Sequence, residues 1–244
     1  MCRMFLLCAR ESFTVDPQLL KKFVDSCHWQ YFRKYNLLGH HNLGWGFAYL
    51  SPDGSHLKIK RDLTPIYKAD WKSLENLSTR FLVVHARKAY PWSKNAADIH
   101  PINIGGSYMM THNGIVKEFP TLTDPLLEDI KKNTSMDTRK YLCTFLDALG
   151  QEENIRSALK TTLQGIIIGL GANAFIFNRQ ESLIVNYHNT NFRGRHTTLF
   201  LRRTPGSLVV ATTPLDPKMK EVPNHTAIHL RHSDLESHVF SVAD

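Results

Sequence analysis

The apolar stretches of this chain are all short. Met4 to Ala9 is followed at once by Arg10 and Glu11, and "RFLVVHAR", "SLIVNYH" and "SLVVATTPL" likewise run into polar or turn residues. Runs of this length suit buried strands, and none approaches the ~18 apolar residues of a membrane span. Between them lie helical signals. Asp16-Pro17 supplies a cap and a first-turn proline, and Leu19, Leu20, Phe23, Val24 and Cys27 follow at helical spacing. Further helices are expected from about Asp124 to Lys132, after Ser135 (Tyr141, Leu142, Phe145, Leu146 and Leu149 on one face), and from Ile155 to Leu163. Two hairpins are expected, one turning at Ser51-Pro52-Asp53-Gly54 and one at Asn178 to Glu181. "GGSYMMTHNGIV" reads as a strand broken at Asn113-Gly114. The pattern is α+β, with sheets packed together and helices outside them.

With 244 residues and neither repeats nor a low-complexity linker, the chain is read as a single domain over residues 2–244. The formal charge of +8 is spread out, its densest patches being short pairs and "FRGRH" at Phe192 to His196, without a block that would mark a nucleic-acid partner. Cys2, Cys8, Cys27 and Cys143 fit no zinc or CxxC spacing, and the thirteen histidines form no HExxH set, so neither metal nor cofactor is expected. The apolar stretch at the start is shorter than the roughly 7–15 residues of a leader core. A cytoplasmic protein with its thiols reduced is the expectation.

Cys2 follows the initiator methionine. Removal of Met1 would leave one residue holding a thiol nucleophile and an α-amine of pKa about 7.7–8.0, suited to act as its base. A cysteine at this place can equally be incidental. Four other positions carry the same double meaning. Asn113 and Gly114 could supply the two donors of an oxyanion hole, or form a type I′ turn. Arg87, closing an apolar strand, could clamp a carboxylate, or form a surface ion pair. Asp137 could hold a substrate ammonium, or cap a helix together with Ser135. Taken together, they describe a site for an amino acid with a side-chain amide.

At the level of motifs the chain resembles the class II, N-terminal-nucleophile glutamine amidotransferases, most of all stand-alone members beginning "MCR". The matching pieces are "MCRMF", "LGWGFAY", "VVHARKA", "DIHPI", "THNGIV" and "SMDTRKYL", in family order, with "VVATTPLD" as a further segment. They span residue 2 to about 216. The resemblance implies a four-layer αββα sandwich and hydrolysis of a γ-glutamyl amide through a thioester on Cys2. It implies an oxyanion hole at Asn113 and Gly114, an α-carboxylate site at Arg87 and an α-amine site at Asp137. Ammonia or an amine would be released, to water or to a separate acceptor synthase. Trp45 and Gly46 would lie near the site, and His85, His100 and His112 are expected to be structural, hydrogen-bonded histidines.

The chain departs from the family pattern at Tyr90 and Pro91, where a small Thr and a Gln or His usually help hold the substrate, at Arg139 in place of an acid, and at Thr212-Thr213-Pro214-Leu215. Tyr90 is therefore placed in the substrate pocket, and a larger γ-glutamyl substrate than glutamine becomes an option. The same departures motivate the alternative of a catalytically silent regulatory or binding subunit that retains the fold.

Overall fold

Cys2 through Ala9 are all buried, and the strand they open is flanked on both sides. In the computed structural model, residues 2–28, 30, 40–88, 95–105, 107–189 and 197–243 are described. In chain order they form β1 (Arg3–Phe13), α1 (Pro17–Asp25), β2 (Trp45–Leu50), β3 (Leu57–Asp62), β4 (Thr79–Ala86), β5 (Ile102–Asn103) and β6 (Met109–Glu118). There follow α2 (Pro125–Lys132), α3 (Asp137–Gln151), α4 (Ile155–Gly165), β7 (Ile167–Phe177), β8 (Glu181–Asn186) and β9 (Phe200–Arg203). The last strands are β10 (Ser207–Ala211), β11 (Lys220–Glu221), β12 (Thr226–Arg231) and β13 (Ser237–Ser241).

The strands pair antiparallel into two sheets, ordered β11-β9-β10-β1-β4-β2-β3 and β13-β12-β8-β7-β6-β5. Side chains alternate across a strand, and here both faces of the central strands are covered. Met4, Leu6 and Cys8 of β1 meet Phe175, Phe177 and Ile184 of the other sheet. Phe5, Leu7 and Ala9 face Leu20, Phe23 and Val24 of α1. On the far side, Tyr141, Leu142 and Phe145 of α3 and Leu159 of α4 pack on Met110, Ala174 and Ile176. The result is the αββα sandwich. Its strand β1 carries no Val, Ile or Thr, so its extended form comes from pairing on both edges, with β10 and β4, and not from local propensity.

Helix starts follow the expected chemistry at Asp16, whose side chain accepts from Gln18 N–H, and at Asp124, which accepts from Leu126 and Leu127. Two expectations need correction. β6 is not broken at Asn113-Gly114: both residues sit in its ladder, opposite Asn173 and Ala172, so they form no hairpin turn. The irregularity comes one step later, as a register shift between Ile115 and Val116. At α3 the cap position is Met136, with no side-chain cap bond, so Ser135 does not cap. Asp137 is the first helical residue.

Candidate active site

Five strands change character at the same end of the space between the sheets. Following the face that carries the inter-sheet core, β4 runs Phe81, Val83, His85 and then Arg87 beyond its end; β6 runs Met109, Thr111, Asn113. β7 runs Phe177, Phe175, Asn173; β10 runs Leu208, Val210 and then Thr212; β1 runs Cys8, Leu6, Met4, with Cys2 just before its start. Each passes from apolar to polar, and Cys2, His85, Arg87, Thr111, Asn113, Asn173 and Thr212 are all buried. Buried polar groups are costly unless paired, so their gathering in one place makes this end of the inter-sheet space the candidate site.

Register ties the rows together. Met4 lies opposite His85, and its backbone N–H also meets the Thr212 hydroxyl at 3.1 Å. In the second sheet Asn113 lies opposite Asn173. The two rows are joined where His85 Nε2 donates to the His112 carbonyl at 3.2 Å. That carbonyl belongs to the peptide leading into Asn113. Cys2 itself is held by Lys88, its Sγ lying 3.1 Å from the Lys88 carbonyl and 3.4 Å from the Lys88 N–H. Next to it, buried Arg3 donates through Nε to the Ser26 carbonyl at the end of α1.

Two glycines make room for this arrangement. A Cβ on Gly114 would land on the Gly171 carbonyl and 2.8 Å from His112 Nε2. Glycine is therefore required there by the approach of β6 to β7, whatever its part in chemistry. A Cβ on Gly46 would meet the His100 carbonyl. Because Gly46 stands opposite His85, the segment at His100 can cross the sheet, and its ring stacks on His85 with centroids 4.0 Å apart.

The three histidines carry defined tautomers. His112 Nε2 lies 3.2 Å from the Gly171 carbonyl, which can only accept, so Nε2 bears the proton. With the proton on that nitrogen, Nδ1 is left to accept from the Thr138 hydroxyl at 3.1 Å. With its proton so used, Thr138 Oγ1 accepts from His100 Nε2 at 3.0 Å. Burial pushes His85 down to about 3, with the Arg87 and His112 charges adding and its bond to the His112 carbonyl opposing. Burial likewise holds His100 well below the ordinary histidine range. Both are neutral, hydrogen-bonded rings.

Asp137 stands at the end of this chain. One oxygen accepts from Thr138 N–H at 2.7 Å, the other from Val116 N–H at 3.2 Å, with His112 Nδ1 at 3.8 Å. Its side chain remains about a third exposed, at 32%. Arg87 is not a surface residue. Its Nη2 meets Asp98 Oδ2 at 3.4 Å, with side-chain exposures of 7% and 22%. Asp98 sits on a short 3-10 turn, Ala96–Asp98, whose Ala97 carbonyl accepts from Arg139 at 3.1 Å. The place of the family's usual acid is thus taken by a residue that straps this turn to α3.

Tyr90 and Pro91, and the basic patch at Phe192 to His196, lie outside the described residues, as does Met1. Asp98, Thr111, Thr138 and Asn173 are residues of the candidate site that sequence reasoning did not single out. The first three lie inside the motifs "DIHPI", "THNGIV" and "SMDTRKYL", and Asn173 is the polar start of an inward apolar row. Burial pushes the thiols of Cys8 and Cys27 up to about 12 and that of Cys143 to about 11, which keeps them inert core groups. Among the described residues no His, Cys, Asp or Glu cluster is arranged to hold a metal ion, and no helix is long and apolar enough to cross a membrane. Two open clefts lie elsewhere, of about 550 Å³ beside His56 and Arg179 and about 460 Å³ beside Trp45 and Asp70. Neither is lined by Cys2, Arg87, Asn113 or Asp137.

Comparison with known proteins bears on the family and the fold. A family model described as class-II glutamine amidotransferases matches residues 21–218, a span that holds Arg87, Asn113, Gly114 and Asp137 and begins after Cys2. A Haemophilus influenzae protein provisionally named a glutamine amidotransferase is 27% identical over 165 residues, covering 63% of this chain and 55% of the relative. Among solved structures, glutamine phosphoribosylpyrophosphate amidotransferase of B. subtilis superposes with a TM-score of 0.65 at 13% identity, over 99% of this chain and 49% of that one. A class-II domain protein of Silicibacter pomeroyi superposes with a TM-score of 0.61 at 11% identity, over 98% and 100%. The chain thus spans about half the length of the first two proteins and the whole length of the third. At these identities the structures speak for the fold, which is that of the N-terminal-nucleophile amidotransferases. The family model covers well over half of the sequence, and the chain belongs to the class-II glutamine amidotransferases.

Proposed function

We propose that the protein hydrolyses the γ-amide of glutamine or of a γ-glutamyl compound, using Cys2 as nucleophile after removal of Met1. Family membership supports amide hydrolysis of glutamine in general. The observation that supports the residue assignment is the cross-sheet bond from His85 of β4, opposite Met4 of β1, to the His112 carbonyl of β6, next to Asn113 and Gly114.

In this reading the freed α-amine of Cys2 takes the thiol proton, and sulfur attacks the amide carbon. The Asn113 side-chain amide and Gly114 N–H stabilise the oxyanion. The intermediate collapses with cleavage of the C–N bond, and the leaving nitrogen takes the proton from the ammonium. Water, deprotonated by the same amine, then cleaves the thioester, releasing the γ-glutamyl acid and restoring the thiol. Arg87 holds the α-carboxylate and Asp137 the α-ammonium, with Tyr90 in the substrate pocket. The domain is read as residues 2–244, acting in the cytoplasm. The ammonia or amine passes to water or to a separate synthase.

N-terminal mass spectrometry and a γ-glutamyl substrate screen on wild-type and Cys2→Ala proteins test the proposal. A processed amino terminus, covalent labelling of Cys2 by a glutamine-derived electrophile, and loss of turnover in Cys2→Ala are expected. Retention of Met1, or turnover unchanged in Cys2→Ala, overturns it.

A further inference from the structure

The two strands that deliver Asn113 and Asn173 to the candidate active site line a cleft at their other end. Met109 opens the inward row of β6 and lies opposite Phe177, the last residue of β7. With Leu57 at the start of β3 they form an apolar floor, the outer margin of the inter-sheet core. The cleft measures about 550 Å³, within the range of small-molecule sites. His56, Ser107, Arg179 and Gln180 stand on its rim, and among the described residues no carboxylate lines it.

Both walls are set before any ligand arrives. Asn178 Oδ1 closes the β7–β8 turn by accepting from the N–H groups of Gln180 and Glu181 at 2.8 and 2.9 Å, and His232 N–H donates to the Gln180 carbonyl at 2.7 Å. Ser51 Oγ closes the β2–β3 turn by accepting from His56 N–H at 3.0 Å. Arg179 Nη1 donates to the Ser55 carbonyl at 2.6 Å and ties the two turns across the cleft. That bond spends one of a guanidinium's several donors, and Arg179 stays exposed. Two acids close in sequence are engaged elsewhere, Asp53 with the Ser51 and Ser55 hydroxyls and Glu181 with Tyr108 and His229.

We propose that this cleft is a second ligand site, for an organic anion with an apolar body. The tail of a carboxylate or phosphate monoester lies on Leu57, Met109 and Phe177, and its head accepts from Arg179, with His56, Ser107 and Gln180 as further polar partners. A cation finds no acid in the lining, and a small, wholly polar ion leaves the floor uncovered. Because the turns are already braced, little ordering is needed on binding. The cleft shares no residue with the set Cys2, Arg87, Asn113 and Asp137, so its failure as a ligand site leaves the proposed function untouched.

Calorimetry on the full chain tests it with hexanoate, hexyl phosphate, hexanamide and acetate. Saturable binding of hexanoate or hexyl phosphate is expected, and the tighter of the two identifies the head group. Hexanamide, which lacks the charge, should bind about tenfold more weakly or worse, and so should acetate, which lacks the tail. Arg179→Gln should weaken the anion by about tenfold or more, the scale of a charge-assisted hydrogen bond. Absence of saturable binding by both anions, equal binding of hexanoate and hexanamide, or an affinity unchanged in Arg179→Gln overturns the proposal. A second measurement needs no change at Arg179. The methyl NMR signal of Met109, assigned through Met109→Leu, should shift saturably as the anion is added to the unaltered protein, and a signal that stays in place while the anion binds puts the ligand elsewhere and overturns the proposal.

Discussion

His85 and His112 join the two sheets at the site: the ring of the first donates to the main-chain carbonyl of the second at 3.2 Å. One ring thereby fixes the plane of the peptide that leads into Asn113. Its Nδ1 has no hydrogen-bond partner among the described residues, in keeping with a neutral ring protonated at Nε2. The arrangement holds only while that ring stays neutral, since a second proton on Nδ1 would be buried without an acceptor.

Acid sensitivity follows from that neutrality. Folded His85 takes up a proton only near pH 3, against 6.5 for the ordinary side chain, so between these values the unfolded chain binds more protons than the folded one. The stability it contributes is complete above about pH 6.5 and is lost as pH falls toward 3, by up to ~1.4 kcal/mol per pH unit. His100 is shifted in the same direction and steepens the loss. In His85→Gln, which can still donate to the carbonyl, the dependence should be shallower by about one proton. Denaturant unfolding at pH 7 and pH 5 measures it, and an unchanged slope would contradict this account.

Thr138 is expected to matter through its hydroxyl. That single O–H bridges His100 and His112, at 3.0 and 3.1 Å. Thr138→Val keeps the shape but leaves a buried N–H and a buried ring nitrogen unpaired, a cost of about 2–4 kcal/mol. Thr138→Ser keeps the bridge and should recover most of the loss. Chemical denaturation of the three proteins checks this, and equal stability of the Val and Ser variants would show that the bridge carries little.

Much of this site is legible in the sequence because alternation along a strand is a strict rule. "RFLVVHAR" and "YMMTHNG" both end their inward rows in polar groups, and reading every second residue puts His85 and Arg87, and Thr111 and Asn113, on one face. Cys2 joins them only through the downstream motifs. The Asn-Gly pair is misleading locally, because its turn preference yields to pairing on β7. The Arg87–Asp98 pair is not legible, since it depends on the path of the chain between a strand end and a 3-10 turn. Among the strands not anticipated, β5 and β11 are two residues long, β9 is four, and β13 carries mostly half-buried or exposed residues at a sheet edge. None has a core-facing pattern of its own.

Gly114 should be intolerant for reasons of space. In Gly114→Ala the new methyl group meets the Gly171 carbonyl and the His112 ring, and backbone must move. A loss of about 2 kcal/mol or more in unfolding free energy is expected, comparable to overpacking a core. The measurement is thermal or denaturant unfolding without any substrate. A variant as stable as the parent would mean that the two strands can part locally, and Gly114 would then be free to be tested for its N–H alone.

Asn113 can be separated from such packing effects by its dependence on the reaction. Fully buried and opposite Asn173, it faces the inter-sheet space in the polar row that gathers Cys2, His85 and Thr212. If its side-chain amide donates to the oxyanion, the bond is made mainly in the transition state, where charge has developed on oxygen. Asn113→Ala should then lower kcat by about 10²–10³-fold with little change in KM. Asn113→Asp is nearly isosteric but brings an acceptor and a negative charge to the same place, and should be at least as damaging. Steady-state glutaminase assays at matched folded fractions, checked by unfolding curves, give the comparison. A rise in KM with kcat retained would move Asn113 out of the oxyanion hole and into substrate binding.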